Sequence, residues 1–232
     1  MYRLILMLVL LSFLIIIGLI SSFTNSDKSY DLKNSNIVYT SNGYIDNVEN
    51  VRSLLSEKQF QNLIKDNEIL KVETKLKDIK SLENIDIYFN DKNEIGIKLI
   101  DRTPIAYLKD SNSLIDINAK VFEKHQLKND SLPVIKGNIT ELQIQKIINV
   151  ISAFEKDKFF KNKLKEIWFN NDHLYVTIKN LDLDLNLGDQ KKIENKLKML
   201  KGFYVYQIKN FNKNIYKQLD LVYNNRLVAI KK

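Results

Sequence analysis

The chain has 232 residues and a formal net charge of +8, with 28% charged and 44% hydrophobic residues, a balance that fits one or two modest folded domains and excludes a disordered polyelectrolyte. Cysteine is absent, which excludes disulfides and thiolate chemistry. Every basic residue except Arg3, Arg52, Arg102 and Arg226 is a lysine interspersed with acids, which describes a solvated surface and not a nucleic-acid footprint.

From Leu4 to Phe23 the sequence is uncharged and apolar, long enough for a transmembrane helix over residues 4–23. A cleaved signal peptide is the competing reading, but the run exceeds a usual signal h-region and no A-x-A site follows it. Arg3 on one side faces Lys28 and Lys33 on the other, so charge alone leaves the orientation open. Residues 1–3 would then be a short tail and residues 24–34 a polar linker.

Over about 35–102 the pattern reads strand, helix, helix, strand, strand. Ile37-Val38-Tyr39 is extended; Val48, Val51 and Leu55, then Val72, Leu76 and Ile79, recur at helical spacing. Ile85, Ile87 and Phe89, then Ile95, Ile97 and Leu99, alternate as strands around the turn formers Asn90-Asp91-Lys92-Asn93. That loop lacks the spacing and the distal glutamate of a calcium site. Pattern alone gives an α+β domain.

Residues 103–232 read as a β-rich domain with two helices. Short strands over Ile105–Leu108, Leu114–Ile117 and Val121-Phe122 precede a helix capped by Thr140, whose stripe is Ile144, Ile147, Ile148, Ile151 and Phe154. Asn170-Asn171-Asp172-His173 marks a hairpin, and Leu181, Leu183, Leu185 and Leu187 alternate with Asp182, Asp184 and Asn186 in a half-buried strand. Asp189 caps a helix with Ile193, Leu197 and Leu200 inward, which Gly202 either ends or passes through. The chain closes with Ile215–Tyr223, a two-residue Asn224-Asn225 turn of type I′ and Arg226–Ile230, so the last strand is a candidate sheet edge.

Catalytic patterns are missing. His125 and His173 stand apart with no metal motif around either, and neither a nucleophile elbow nor a P-loop occurs. Asp182 and Asp184 share one strand face, where a glycosidase could use a carboxylate pair, but that spacing is ordinarily the wet face of a strand. No enzymatic activity, cofactor, metal or small-molecule substrate is expected.

The stretch Ile97-Lys98-Leu99-Ile100-Asp101-Arg102-Thr103-Pro104, the turn Asp116-Ile117-Asn118-Ala119, Leu132-Pro133-Val134-Ile135-Lys136-Gly137 and the ending Leu219-Asp220-Leu221-Val222-Tyr223 follow one another in an order that resembles the FtsQ/DivIB cell-division family. Phe159-Phe160 before Ile167-Trp168 resembles its Bacteroidota versions. The resemblance implies a single-pass inner-membrane protein with its N-terminus cytoplasmic, a POTRA-like domain over 35–102, and a β domain over 103–232. It also implies a non-enzymatic scaffold at the division septum that binds FtsB- and FtsL-like partners and helps recruit or regulate septal peptidoglycan synthesis. A POTRA-containing envelope chaperone or secretion component is the alternative. By position, partner binding falls on Tyr223, Asn225, Arg226, Leu227, Val228 and Ile230, and the domain junction on Asp101, Arg102 and Pro104. Two positions depart from what the resemblance leads one to expect: Ala119 stands where glycine is usual, implying that the turn need not demand positive φ, and Val222 stands where an arginine is often found.

Overall fold

A computed structural model describes residues 16, 36–40, 47–66, 68–89, 95–123, 131–189, 191–209, 215–223 and 225–232. It is an α+β protein whose contacts divide it into two compact units, the first including Val48–Asp78 and Ile85–Leu99, the second Ile79–Asn84 and Ile100–Lys232. The expected membrane segment over 4–23 lies outside the described residues, apart from Ile16, as do the tail, the linker and His125. Among the described residues no helix is long and apolar enough to cross a membrane.

The leading elements are β1 (Asn36–Thr40), α1 (Val48–Leu55), α2 (Lys58–Lys65), α3 (Ile69–Leu76), β2 (Leu82–Phe89) and β3 (Ile95–Asp101), with the strands ordered β1-β3-β2. Three helices stand where the apolar spacing predicted two. The additional one, α2, buries Phe60 and Ile64 four positions apart, a single contact pair on a two-turn helix. α1 buries Val51 and Leu55, and α3 buries Val72 and Leu76, as their spacing requires. Ile79, expected on the second helix, follows the end of α3 at Leu76.

The second unit carries β4 (Pro104–Leu108), β5 (Ser113–Asp116), β6 (Val121–Glu123), β7 (Val134–Ile135), α4 (Glu141–Lys156), β8 (Leu164–Asn170), β9 (His173–Ile178), β10 (Leu181–Gly188), α5 (Ile193–Lys209), β11 (Tyr216–Asp220) and β12 (Val228–Lys231). Nine strands form one mixed sheet in the order β12-β11-β10-β9-β8-β7-β4-β5-β6. The two helices are crossovers: α4 joins the parallel pair β7 and β8, and α5 joins the parallel pair β10 and β11. Thr140 caps α4 as expected, its Oγ1 accepting the Gln143 amide at 3.3 Å while Gln143 Oε1 accepts the Thr140 amide at 3.0 Å. The β8–β9 hairpin turns on Asn171 and Asp172, both at positive φ (47° and 62°), the geometry of a type I′ turn.

One core holds this unit. The register aligns Leu108, Ile135, Ile167, Val176, Leu185, Leu219 and Ala229 in a row across seven strands. Ile147, Ile151 and Phe154 of α4 and Leu197, Leu200 and Tyr204 of α5 belong to the same cluster. Each fully buried side chain of this kind contributes about 1.5–3 kcal/mol.

Helix α5 starts at Ile193, later than a cap at Asp189 would give, because Lys192 turns at a φ of 52°. Gly202 is carried through. Lys196 is buried beneath the helix, and its Nζ donates to the carbonyl oxygens of Leu187 and Asp189, each at 2.6 Å, and to Asp189 Oδ1 at 3.3 Å. Burial pushes the Lys196 ammonium below its ordinary range, and Asp189 offsets part of that. Burial acts against ionisation of Asp189, but the hydrogen bond and charge of Lys196, then the Lys191 amide and ammonium, hold its carboxyl below the usual carboxylate value. A carboxyl lowered in the folded state stabilises the fold above the unfolded value of about 4, and that contribution is lost as pH falls through the folded value. Asp189→Asn should therefore lower the urea midpoint at neutral pH, with the gap to the parent protein narrowing as the pH falls below the ordinary aspartate range. A gap that persists at acid pH would show that Asp189 acts through packing.

Candidate interaction edge and its supporting network

The residues expected at the junction form the inside of a hydrogen-bonded node in the second unit. The main-chain amide of Arg102 donates to the Ser81 carbonyl at 2.9 Å, its Nε to the Lys80 carbonyl at 2.9 Å, and its Nη1 to Asp116 Oδ2 at 2.8 Å. Both side chains of the ion pair are largely withdrawn from water, 18% and 5% exposed. Asp116 is satisfied on its other oxygen, since Oδ1 accepts the amides of Asn118 at 2.9 Å and Lys120 at 2.8 Å. Alongside, buried Asp101 accepts Asn47 Nδ2 at 2.6 Å, and Asn47 Oδ1 accepts the Ser81 hydroxyl at 2.7 Å. Pro104 opens β4 opposite Asp116, where a missing donor does not interrupt an inner ladder.

Of these partners the sequence analysis singled out Asp101, Arg102 and Pro104, treated Asp116 as a turn residue, and passed over Asn47 and Ser81. No spacing rule links Asn47 to residues fifty positions away. The expectation that Ala119 relieves its turn of positive φ is overturned: Ala119 has a φ of 62°. Asp116 imposes this by holding the Asn118 and Lys120 amides on either side of it.

The residues expected at the partner site gather at the opposite end of the sheet. β12 pairs antiparallel with β11 through Gln218↔Ile230, Leu219↔Ala229 and Asp220↔Val228, and it is the last strand in the sheet order. A tight two-residue hairpin is not what joins them. β11 stops at Asp220 and β12 starts at Val228, because Leu221 is fully buried and continues along β10, its amide donating to the Asn186 carbonyl at 2.9 Å. Asn225 does adopt positive φ, 58°, as asparagine permits. Val222 packs over Gly188: a Cβ built on Gly188 would sit 3.1 Å from its Cγ2.

Tyr223, Asn225, Arg226 and Val228 are exposed, and the Arg226 guanidinium lies 4.9 Å over the Tyr223 ring. Leu227 and Ala229 instead pack on the main core. Side chains alternate along β12, so Val228 and Ile230 project on the sheet face away from that core. Backbone groups alternate as well. Lys232 donates inward to the Ile215 carbonyl at 2.9 Å, so Val228 and Ile230, in step with it, face β11, while Ala229 and Lys231 present N–H and C=O to the unpaired side.

The face away from the core carries Trp168 and Tyr175, cross-strand neighbours with rings stacked at 5.7 Å, and the carboxylates Asp182 and Asp184. Burial, then the nearby Glu166 carboxylate, pushes the Asp184 carboxyl up; Lys136 opposes this and Asp182 adds to it. No cluster of three or more metal-ligating side chains occurs among the described residues, and His173 is an exposed residue at the start of β9.

The geometry defines a class: an α+β protein whose larger unit ends in an open sheet edge held in register by a buried core. The family model described as "FtsQ/DivIB, C-terminal related" matches residues 103–230, and the chain belongs to that family. No curated protein matches it. Membership assigns the chain a role in cell division, with division proteins as its partners.

Two substitutions test the node. Arg102→Ala strands the buried Asp116 carboxylate and should cost about 3 kcal/mol, whereas Ala119→Gly relieves the left-handed backbone and should gain about 1 kcal/mol. Urea unfolding followed by Trp168 fluorescence reads both.

Proposed function

We propose that the chain is a non-enzymatic scaffold of the division machinery that binds FtsB- and FtsL-like proteins and helps recruit or regulate septal peptidoglycan synthesis. The observation that carries this reading is the position of β12, the terminal edge of the nine-stranded sheet, within the region matched by the family. An incoming extended segment would hydrogen-bond the free backbone of Ala229 and Lys231, with Tyr223, Arg226, Val228 and Ile230 supplying side-chain specificity. Leu227 serves this surface from below by packing on the core.

The leading unit is assigned here to a POTRA-like module, with a third helix beyond the β-α-α-β-β order expected for it. Residues 4–23 are assigned to an anchor in the inner membrane with the N-terminus cytoplasmic. The exposed setting of Asp182 and Asp184 fits the wet face of a strand, in keeping with a chain that acts by binding.

Alternation of the backbone supplies a discriminating test. Ala229→Pro removes a donor from the free side of β12, leaving the groups that pair with β11 in place. It should weaken binding of an FtsB-like peptide by about tenfold or more, measured by titration calorimetry, while the thermal midpoint changes little. Unchanged affinity would defeat the edge-strand reading. A tagged chain spread evenly around the envelope, with no midcell ring, would favour the envelope-chaperone alternative.

A further inference from the structure

The turn after α4 reads Lys156-Asp157-Lys158-Phe159-Phe160-Lys161-Asn162-Lys163, and the structure brings it against α5. Phe159 stands edge-on to both Phe160 and Tyr204, with centroids 4.9 Å and 5.2 Å apart. Two ammonium groups converge on its ring, Lys163 Nζ at 3.8 Å and Lys201 Nζ at 5.0 Å from the centroid. Lys156 and Lys198 line a cleft of about 230 Å³ between the helices, together with Asp157 and Glu194. None of these lysines, nor Lys158 or Lys161, makes an ion pair among the described residues.

The carboxylates among them, Glu155, Asp157 and Glu194, are three against six lysines, so an excess of positive charge remains. Asp157 Oδ1 accepts the Phe159 amide at 2.8 Å and Glu155 Oε1 accepts the Asn162 amide at 3.1 Å, so both are turned into the turn that displays the lysines. Along α5 Lys198, Lys201 and Val205 recur at the three- and four-residue spacing that stacks side chains on one side of a helix, and Tyr206 follows one position further round. Val205 is 41% and Tyr206 57% exposed, large side chains on a surface that is otherwise polar.

We infer that this face is a docking surface for an anionic lipid bilayer. Three observations favour a bilayer over an acidic protein. The cations are all lysines, point charges without the planar fork that reads individual carboxylates, and so suit a diffuse negative plane. Aromatic and branched apolar side chains stand beside them, a composition that settles at the boundary of headgroups and acyl chains. The exposed lysines are spread over the turn and α5, Lys158 and Lys161 on one and Lys198 and Lys201 on the other, as an extended plane of charge would engage them and a single carboxylate would not. The surface lies on the helical side of the unit and is independent of the β12 reading.

Lysine reactivity tests this with the full chain. The protein is incorporated into vesicles of phosphatidylcholine alone or of phosphatidylcholine with phosphatidylglycerol, pulsed with a membrane-impermeant amine reagent, and labelling is read lysine by lysine by mass spectrometry. In the anionic vesicles Lys158, Lys161, Lys198 and Lys201 should label about fivefold more slowly, with the difference abolished by about 0.5 M salt. Lys109 and Lys217, exposed elsewhere on the same unit, should label alike in both. Equal labelling of the patch in the two vesicles overturns the proposal. Protection by a soluble polyglutamate peptide, without protection by phosphatidylglycerol, overturns it in favour of an acidic protein partner.

Discussion

The larger unit depends on one constraint, the register of an apolar row running through seven strands from Leu108 to Ala229. The side-chain period of a strand is two, so sliding a member by one residue would place polar neighbours, or at β12 larger ones, against α4 and α5. At β10 such a slip would exchange Leu185 for Asp184, and at β12 it would exchange Ala229 for Val228 or Ile230. The cost of that exchange fixes which side chains the outermost strand shows to solvent. Register therefore determines the composition of the free edge, although no residue of the edge is itself deeply buried.

At the other side of the sheet the Arg102 node does comparable work with polar groups. Removing a guanidinium and a carboxylate from water is expensive, and the pair is tolerable only because its other donors and acceptors are occupied. The carbonyls of Lys80 and Ser81 take two Arg102 donors, and the amides of Asn118 and Lys120 take the second Asp116 oxygen. The same bonds hold Ala119 in a conformation that alanine disfavours. Strain at Ala119 is thus maintained by the two bonds that Asp116 makes on either side of it, which is why the backbone keeps this shape with alanine in place of glycine.

This exchange also marks where the sequence was legible. Periodicity located the stripes of α4 and α5, the Thr140 cap, the Asn171-Asp172 hairpin and the alternation of β10, because each depends on neighbours along the chain. It missed α2, whose two buried residues span barely one turn, and it misread Ala119, since residue type was taken as a proxy for φ while the deciding bonds came from Asp116. The parallel placement of β11 beside β10 was equally hidden: alternation is the same for parallel and antiparallel neighbours. The candidate edge was visible because it closes the chain, but the direction of its backbone groups required the Lys232 and Leu221 hydrogen bonds. Asn47 and Ser81 carry no local signal at all.

The edge is the outermost layer of a nested set of supports. β12 has four residues and rests on β11, β11 rests on β10 through a parallel pairing made possible by α5, and α5 is pinned at its start by the buried Lys196 ammonium across the end of β10. Stability in such a stack falls from the inside outward, and the last strand opens at the least cost. A partner strand paired on the free side of β12 would turn that edge into an interior strand, adding a second ladder to an element that has one. Binding and ordering of the C-terminal strand are then the same event. On that reading the energy of association would be divided between new contacts and the fixing of Val228–Lys231, and substitutions that loosen β11 or α5 would weaken a partner's grip without touching it.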